Sequence, residues 1–240
     1  MQSARELDRS AEKKAKRGAN ELPLRILSSI VLGAIALLVS WIGGTVFALF
    51  WLAAAAGVLV EWVRITGWRP IWLLGGLIYA GAFFGSMLWL RIEPHLGFIA
   101  LIWLFAIIWT ADIAAYFVGR AVGGPKLWPA VSPNKTWSGA IGGTIGGLAA
   151  GAAIIAAAGL SLRPAHAVVM LAVVIAAQLG DLLESAIKRR FGVKDSGRLI
   201  PGHGGLMDRC DSLIVASAVA LLIGIARAGT MSPAQGLLAW

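Results

Sequence analysis

Seven apolar runs, each close to the length of a bilayer-spanning helix, constrain this chain more than any other feature. They occupy roughly 24–42, 44–62, 71–90, 97–118, 138–159, 166–186 and 207–226. A helix needs about 20 mostly apolar residues to cross the hydrocarbon core. Lipid offers no partners to an open backbone, so each run must satisfy its own peptide groups as a helix. The expected fold is all-α, a polytopic transmembrane helical bundle of about seven spans. Charge content agrees. Only 14% of the residues are charged, against about 25% in a soluble domain. Glycines crowd the fifth run (Gly139, Gly142, Gly143, Gly146 and Gly147). Small residues at that spacing let helices approach closely. Trp41, Trp62, Trp68, Trp72 and Trp89 fall near expected span ends, where interfacial anchoring is the expected role.

The formal net charge is +9. In a soluble protein that would favour nucleic acid. Here basic loops are what membrane topology requires, so no nucleic-acid partner is expected. With the N-terminus in the cytoplasm, 18 of the 21 lysines and arginines lie inside, and Arg91, Arg163 and Arg227 lie outside. Polar loops 119–137 and 187–206 are then both cytoplasmic, where nucleotides are available. The first 22 residues are polar and mixed in charge, so the first apolar run is read as a span and not as a cleaved leader. Cys210 is the single cysteine; it can form no internal disulfide and is expected to pack inertly.

Residues Ser185 to Asp211 break the apolar pattern. Six cations (Lys188, Arg189, Arg190, Lys194, Arg198, Arg209), three acids (Asp195, Asp208, Asp211) and His203 fall within 27 residues. Charge at a membrane boundary is costly unless it meets a ligand, a metal or water. Cations interspersed with carboxylates suit a polyphosphate and its divalent metal. Just upstream, Gln178, Asp181, Ser185 and Lys188 share one helix face at i, i+3, i+7 and i+10, with Glu184 beside it. Asp208 and Asp211, at i and i+3, point the same way from the next helix. Hard oxygen ligands from two helices suit Mg²⁺. The plainer reading is an ion-pair network with no metal.

Asp112 sits inside the apolar run WLFAIIWTADIAAYFVGR. An aspartate there costs about 2.5–3.5 kcal/mol on insertion scales, so it must face protein, water or a cation. Thr110, Tyr116 and Arg120 accompany it. The alternative is a structural hydrogen bond to a neighbouring helix. Loop 119–137 carries Arg120, Lys126, Ser132, Asn134, Lys135 and Thr136 in a Gly/Pro-rich setting that can bind phosphates, although no Walker A pattern is present. In PGHGG, Gly204 and Gly205 leave backbone amides free and allow positive φ, as a tight anion-binding turn requires. A lone His203 is usually a hydrogen-bonding residue, and no second histidine or cysteine nearby would complete a zinc site.

These residues resemble the phosphatidate cytidylyltransferase (CDP-diacylglycerol synthase) family. Its signature runs S-x-apolar-K-R, four residues, K-D, then apolar-P-x-H-G-G-apolar-x-D-R-apolar-D. Here it is met by Ser185, Lys188, Arg189, Lys194, Asp195, Pro201, His203, Gly204, Gly205, Asp208, Arg209 and Asp211. The segments Asp112–Arg120 and Ser132–Gly139 also resemble the family, so the likeness covers about residues 100–225. Ser138 stands where the family usually has a glutamate, which puts a ligand role there in question.

The resemblance implies transfer of a cytidylyl group from CTP to phosphatidic acid, giving CDP-diacylglycerol and pyrophosphate. It implies Mg²⁺ held by Asp181, Asp208 and Asp211, with room in the two-metal scheme for a second ion. Asp181, Lys188, His203, Asp208, Arg209 and Asp211 are the expected catalytic set. Asp112, Arg120, Ser132, Lys135, Thr136, Ser185, Arg189, Lys194, Asp195, Arg198, Gly204 and Gly205 are the expected substrate-binding set. The chain then divides into a polar cytoplasmic segment 1–23, N-terminal transmembrane helices 24–95, a catalytic transmembrane region 96–228 and a tail 229–240. The expected setting is the bacterial inner (cytoplasmic) membrane, among membrane lipids, with the active site facing the cytoplasm and a homodimer as the assembly. Two rivals fit the pattern less well. A CTP-dependent polyprenol or lipid kinase would release CDP. A non-enzymatic transporter or lipid-binding protein would scatter polar residues towards both faces.

Overall fold

The computed structural model describes residues 28–197 and 204–240. The polar segment 1–23 and the start of the first apolar run lie outside the described residues, as do Arg198, Pro201 and His203. Eight helices follow one another among the described residues. They are α1 (Ser28–Ile42), α2 (Gly44–Thr66), α3 (Pro70–Arg91), α4 (Gly97–Val122), α5 (Trp137–Ala157), α6 (Pro164–Arg190), α7 (Met207–Ala228) and α8 (Pro233–Leu238). Six of them, α2 to α7, are long and apolar enough to cross a membrane, and α1 is a shorter apolar helix. The chain is a multi-pass membrane protein with an all-α bundle.

Local chemistry sets the ends. Prolines open α3, α6 and α8, where the missing N–H costs nothing and φ is already helical. Thr136 caps α5 by accepting from Gly139 N at 3.1 Å. Gly123 ends α4 with φ 65, a turn that side chains with a Cβ rarely make. Three cations, Lys188, Arg189 and Arg190, close α6, where the negative helix end favours them. That helix therefore runs four residues beyond the apolar pattern, and α4 likewise passes 118 to reach Val122.

The helices pair as α2 with α3, α4 with α5, and α6 with α7, and α3 packs on α7 to join them. Trp103, Leu104 and Ile107 of α4 are fully buried at the centre. The glycines of α5 act as expected. A Cβ on Gly143 would lie 2.8 Å from Ala111 O of α4, so only a glycine lets the two backbones touch. Between α3 and α7, Ser86 and Ser217 share a buried hydrogen bond of 2.7 Å. Such interhelical bonds average about 0.6 kcal/mol in membranes.

Three features depart from the sequence reading. Loop 119–137 contains a short antiparallel hairpin, β1 (Lys126–Trp128) and β2 (Ser132–Thr136), with Lys126 opposite Thr136. The tail 229–240 contains α8, whose Leu237 and Leu238 are buried. Trp62 is a buried residue, not an interfacial anchor. Its Nε1 donates to Trp72 O at 2.7 Å, and a Cβ on Gly76 would strike its indole. Trp41 and Trp68 are exposed at helix ends, as expected of anchors.

Loops 119–137 and 187–206 meet at one end of the bundle. Arg189 Nε donates to Val131 O of the hairpin turn at 3.4 Å. The Arg190 guanidinium lies over Trp72, and Arg69 over Phe191.

Candidate active site

The polar face of α6 meets the start of α7 at this end. Lys188 Nζ bridges two carboxylates, 2.7 Å from Glu184 Oε2 and 2.6 Å from Asp208 Oδ1. Both acids are well shielded, and Glu184 is only 2% exposed. Asp208 also accepts from Ser196 N at 3.0 Å and Gly205 N at 2.9 Å. Gly204, at φ 87, turns the chain so that the Gly205 amide points inward. One carboxylate thus ties together α6, the loop after it and the first turn of α7. Oε1 of Glu184 is buried and has no hydrogen-bond partner among the described residues, and the same holds for the Tyr79 hydroxyl on α3.

A second ion pair lies further along α6. The hairpin carries Lys135 to Asp181, with Nζ 2.5 Å from Oδ2. Ser185 Oγ donates to Asp181 Oδ1 at 3.4 Å. Gln178, on the same stripe, donates to Ala140 O at 3.0 Å and Thr144 Oγ1 at 3.2 Å of α5. Asp112 on α4 and Asp211 on α7 stand within electrostatic reach of Asp181 and Lys135. Three helices (α4, α6 and α7) and the hairpin therefore bring acids and ammonium groups to one region.

The expected residues divide clearly. Asp181, Ser185, Lys188, Asp208, Asp211, Asp112, Lys135 and Gly205 come together. Gly204 shapes the turn. Ser132 lies at the start of β2, three residues before Lys135, and Arg189 holds the hairpin turn. The Thr136 hydroxyl is engaged as the α5 cap and by Ser138 Oγ at 3.0 Å. Ser138 also donates to Gly123 O, so it closes the hairpin where the family usually has a glutamate. Arg120 donates to Tyr116 OH at 3.0 Å on an exposed face of α4, not to Asp112. Lys194 and Asp195 are exposed on the turn after α6, and Arg209 is exposed on α7. His203 and Arg198 lie outside the described residues.

Two acids were not among the expected site residues. Glu184 is one. Glu61 on α2 is the other, and it is fully buried. It accepts from Ser196 Oγ at 2.9 Å, Leu206 N at 3.0 Å and Met207 N at 2.8 Å. A signal for it exists in the sequence: it is the single acid in the run GTVFALFWLAAAAGVLVEWVRIT, and an intramembrane acid needs a partner for the same reason as Asp112.

A family model described as "Cytidylyltransferase family" matches residues 66–225. The match takes in both ion pairs and both polar loops. The chain belongs to the cytidylyltransferase family. Among its relatives is a phosphatidate cytidylyltransferase of Brucella suis biovar 1, 40% identical over 256 residues, spanning 85% of this chain and 94% of the relative. One from Rickettsia bellii is 36% identical over 224 residues, spanning 88% and 93%. One from Bacillus subtilis is 40% identical over 138 residues, spanning 57% and 51%. The ion-paired cluster of this cytidylyltransferase lies inside the matched stretch, and Glu61 lies just before it.

Among the described residues, no three carboxylate, imidazole or thiol groups converge closely enough to hold a metal by themselves. The donor chemistry nevertheless fits Mg²⁺. All the candidate ligands are hard oxygens, and Glu184 Oε1 is a buried acceptor without a partner. Mg²⁺ is usually held by one or two carboxylates, with waters and substrate phosphates as the other ligands.

Proposed function

We propose that this enzyme transfers the cytidylyl group of CTP to phosphatidic acid, giving CDP-diacylglycerol and pyrophosphate for phospholipid synthesis. One observation carries the reading: acids and ammonium groups from α4, α6, α7 and the hairpin gather at one end of an apolar bundle, inside the family's matched stretch. The reaction joins two anions, so its barrier is dominated by charge and alignment. A lipid phosphate oxygen attacks the α-phosphorus of CTP, a new P–O bond forms, and the bond to the pyrophosphate oxygen breaks in line. The attacking phosphate is already ionised, so no general base is required, and His203 need not act as one.

Lys135 and Lys188 supply positive charge at the two ends of the α6 stripe. Each is held by carboxylates, which fixes its position before substrate arrives. One or two of Asp181, Asp208 and Asp211 would hold a Mg²⁺ ion together with water and substrate phosphates, and the ion would supply charge neutralisation on the phosphate oxygens. Arg189, Lys194 and Arg209 border the same end, and with Arg198 of the same loop sequence they are the candidates to meet the far phosphates. Gly204 and Gly205 shape the turn into α7. Asp112 faces the region from α4, on the side where a lipid phosphate would arrive from the bilayer. The 18-to-3 division of cations supports a cytoplasmic active site in the bacterial inner membrane. The family resemblance further implies a homodimer, which light scattering of the solubilised protein would test.

The test uses purified protein, Mg²⁺, phosphatidic acid and CTP labelled at either the α- or the γ-phosphorus. The α-label should enter lipid with release of pyrophosphate. Entry of the γ-label with release of CDP would show a lipid kinase instead.

A further inference from the structure

We propose that Glu61 is a positioning residue for the cytidylyl transfer, acting through Asp208. The inference rests on the function proposed above. Glu61 lies on α2, before the family-matched stretch. Its carboxylate is spent on residues 135 to 146 positions away. Leu206, the residue that precedes α7, offers no side-chain cap of its own. The first amides of a helix lack internal partners and favour an anion. Glu61 fills that role from another helix, taking the Leu206 and Met207 amides.

The same carboxylate also holds Ser196 Oγ, and Ser196 N is one of the donors to Asp208. Gly205, the other backbone donor to Asp208, directly precedes the amides that Glu61 takes. Each backbone donor that orients Asp208 therefore lies three covalent bonds from an atom held by Glu61. The glycines around it support the assignment. A Cβ on Gly197 would fall on the Glu61 carboxylate, and a Cβ on Gly205 would fall on both Ser196 Oγ and Glu61. Those two positions leave the space the carboxylate fills. Without Glu61, Ser196 and the start of α7 lose their shared fixed point, and Asp208 loses its register against Lys188 on α6.

The test compares wild type, Glu61→Gln, Glu61→Ala and Ser196→Ala as full-length proteins in lipid nanodiscs. Thermal unfolding, kcat and KM for each substrate, and the rate of tryptic cleavage after Lys194 are measured. Glu61→Gln keeps the size and one acceptor oxygen. It should remain folded, lower kcat about tenfold, leave KM for phosphatidic acid unchanged and speed cleavage after Lys194. Glu61→Ala should lower kcat about 100-fold, and Ser196→Ala, which leaves the amide contacts, less than Glu61→Gln. Should Glu61→Ala fail to fold, the other two variants decide. A folded Glu61→Gln with wild-type kcat and wild-type cleavage would overturn the proposal, as would a loss of activity matched only by a loss of folded protein. If wild type itself made no CDP-diacylglycerol, the proposed function would fall, and the cleavage rates would still test the clamp.

Discussion

The two ends of the bundle differ in that one pairs lysines with carboxylates, besides holding Arg189 by a carbonyl and Arg69 and Arg190 by rings. At one end Lys188 sits between Glu184 and Asp208, and Lys135 sits on Asp181. At the other end the cations are bound by carbonyls and a ring. Arg91 Nε donates to Ser40 O at 2.8 Å. Arg227 donates to Gly236 O and lies over the Trp240 ring. His166, fully buried, reaches Leu238 O at 3.2 Å. A carbonyl partner is neutral and fixed, so those contacts fasten α8 and the helix ends. A carboxylate partner is itself a ligand for a metal. Ion-paired groups can exchange partners when a polyphosphate and its cation arrive. On the proposed function, that difference separates the reacting end from the anchored one.

The largest effect expected is all-or-none and concerns which face each end meets. Ala130 lies on the exposed hairpin turn, and Met231 is 81% exposed at the opposite end. In a Cys210→Ala background, Met231→Cys should react with a membrane-impermeant thiol reagent in intact cells. Ala130→Cys should react only after permeabilisation. The reverse pattern would break the assignment of the ion-paired end to the cytoplasm.

Next comes Asp211→Asn, which should lower turnover about 100-fold or more while the protein stays folded, the scale seen when one transition-state stabilising group is lost. Wild-type activity should vanish in EDTA and return with Mg²⁺. Full activity in metal-free buffer would remove the metal from the account.

Lys188→Ala is expected to act on stability and activity together. It leaves Glu184 and Asp208 shielded without their ammonium, and stranding one partner of a buried pair costs about 3–5 kcal/mol. Apparent affinity for CTP should fall more than that for phosphatidic acid. Lys188→Arg should recover only part, because a guanidinium presents its donors differently from a compact ammonium. An unchanged KM for CTP and unchanged kcat in Lys188→Ala would take this residue out of the site.

The smallest effect sharpens the contrast. Arg227→Ala should cost about 0.5–1 kcal/mol through the lost ring contact, visible as a slightly lower melting temperature, with kcat and KM unchanged. A large loss of turnover would show that the far end is not merely an anchor.

The bundle was legible because its signal is local. Six of the seven apolar runs form helices long enough to span a membrane on their own, and the α6 stripe follows from helical spacing. The gathering of Asp181, Lys188, Asp208 and Asp211 was legible from that spacing and from the family resemblance. Other features depend on distant partners. Trp62 reads as an interfacial anchor until Gly76 makes room for it inside. The hairpin strands are too short, at three and five residues, to show alternation. Lys135 reads as a phosphate ligand from its loop, but its pairing with Asp181 depends on how that hairpin folds back onto α6. Glu61 carries a visible signal as an acid in an apolar run, yet its partners are more than 130 positions away, and no spacing rule reaches that far.

The central claim is that the ion-paired end is where the nucleotide binds. Equilibrium binding of CTP to the purified protein in nanodiscs, with and without Mg²⁺ and without phosphatidic acid, tests it most directly. The account predicts Mg²⁺-dependent binding in wild type, its loss in Asp208→Asn and its retention in Arg227→Ala. Undiminished binding in a folded Asp208→Asn, or loss of binding in a folded Arg227→Ala, would contradict it.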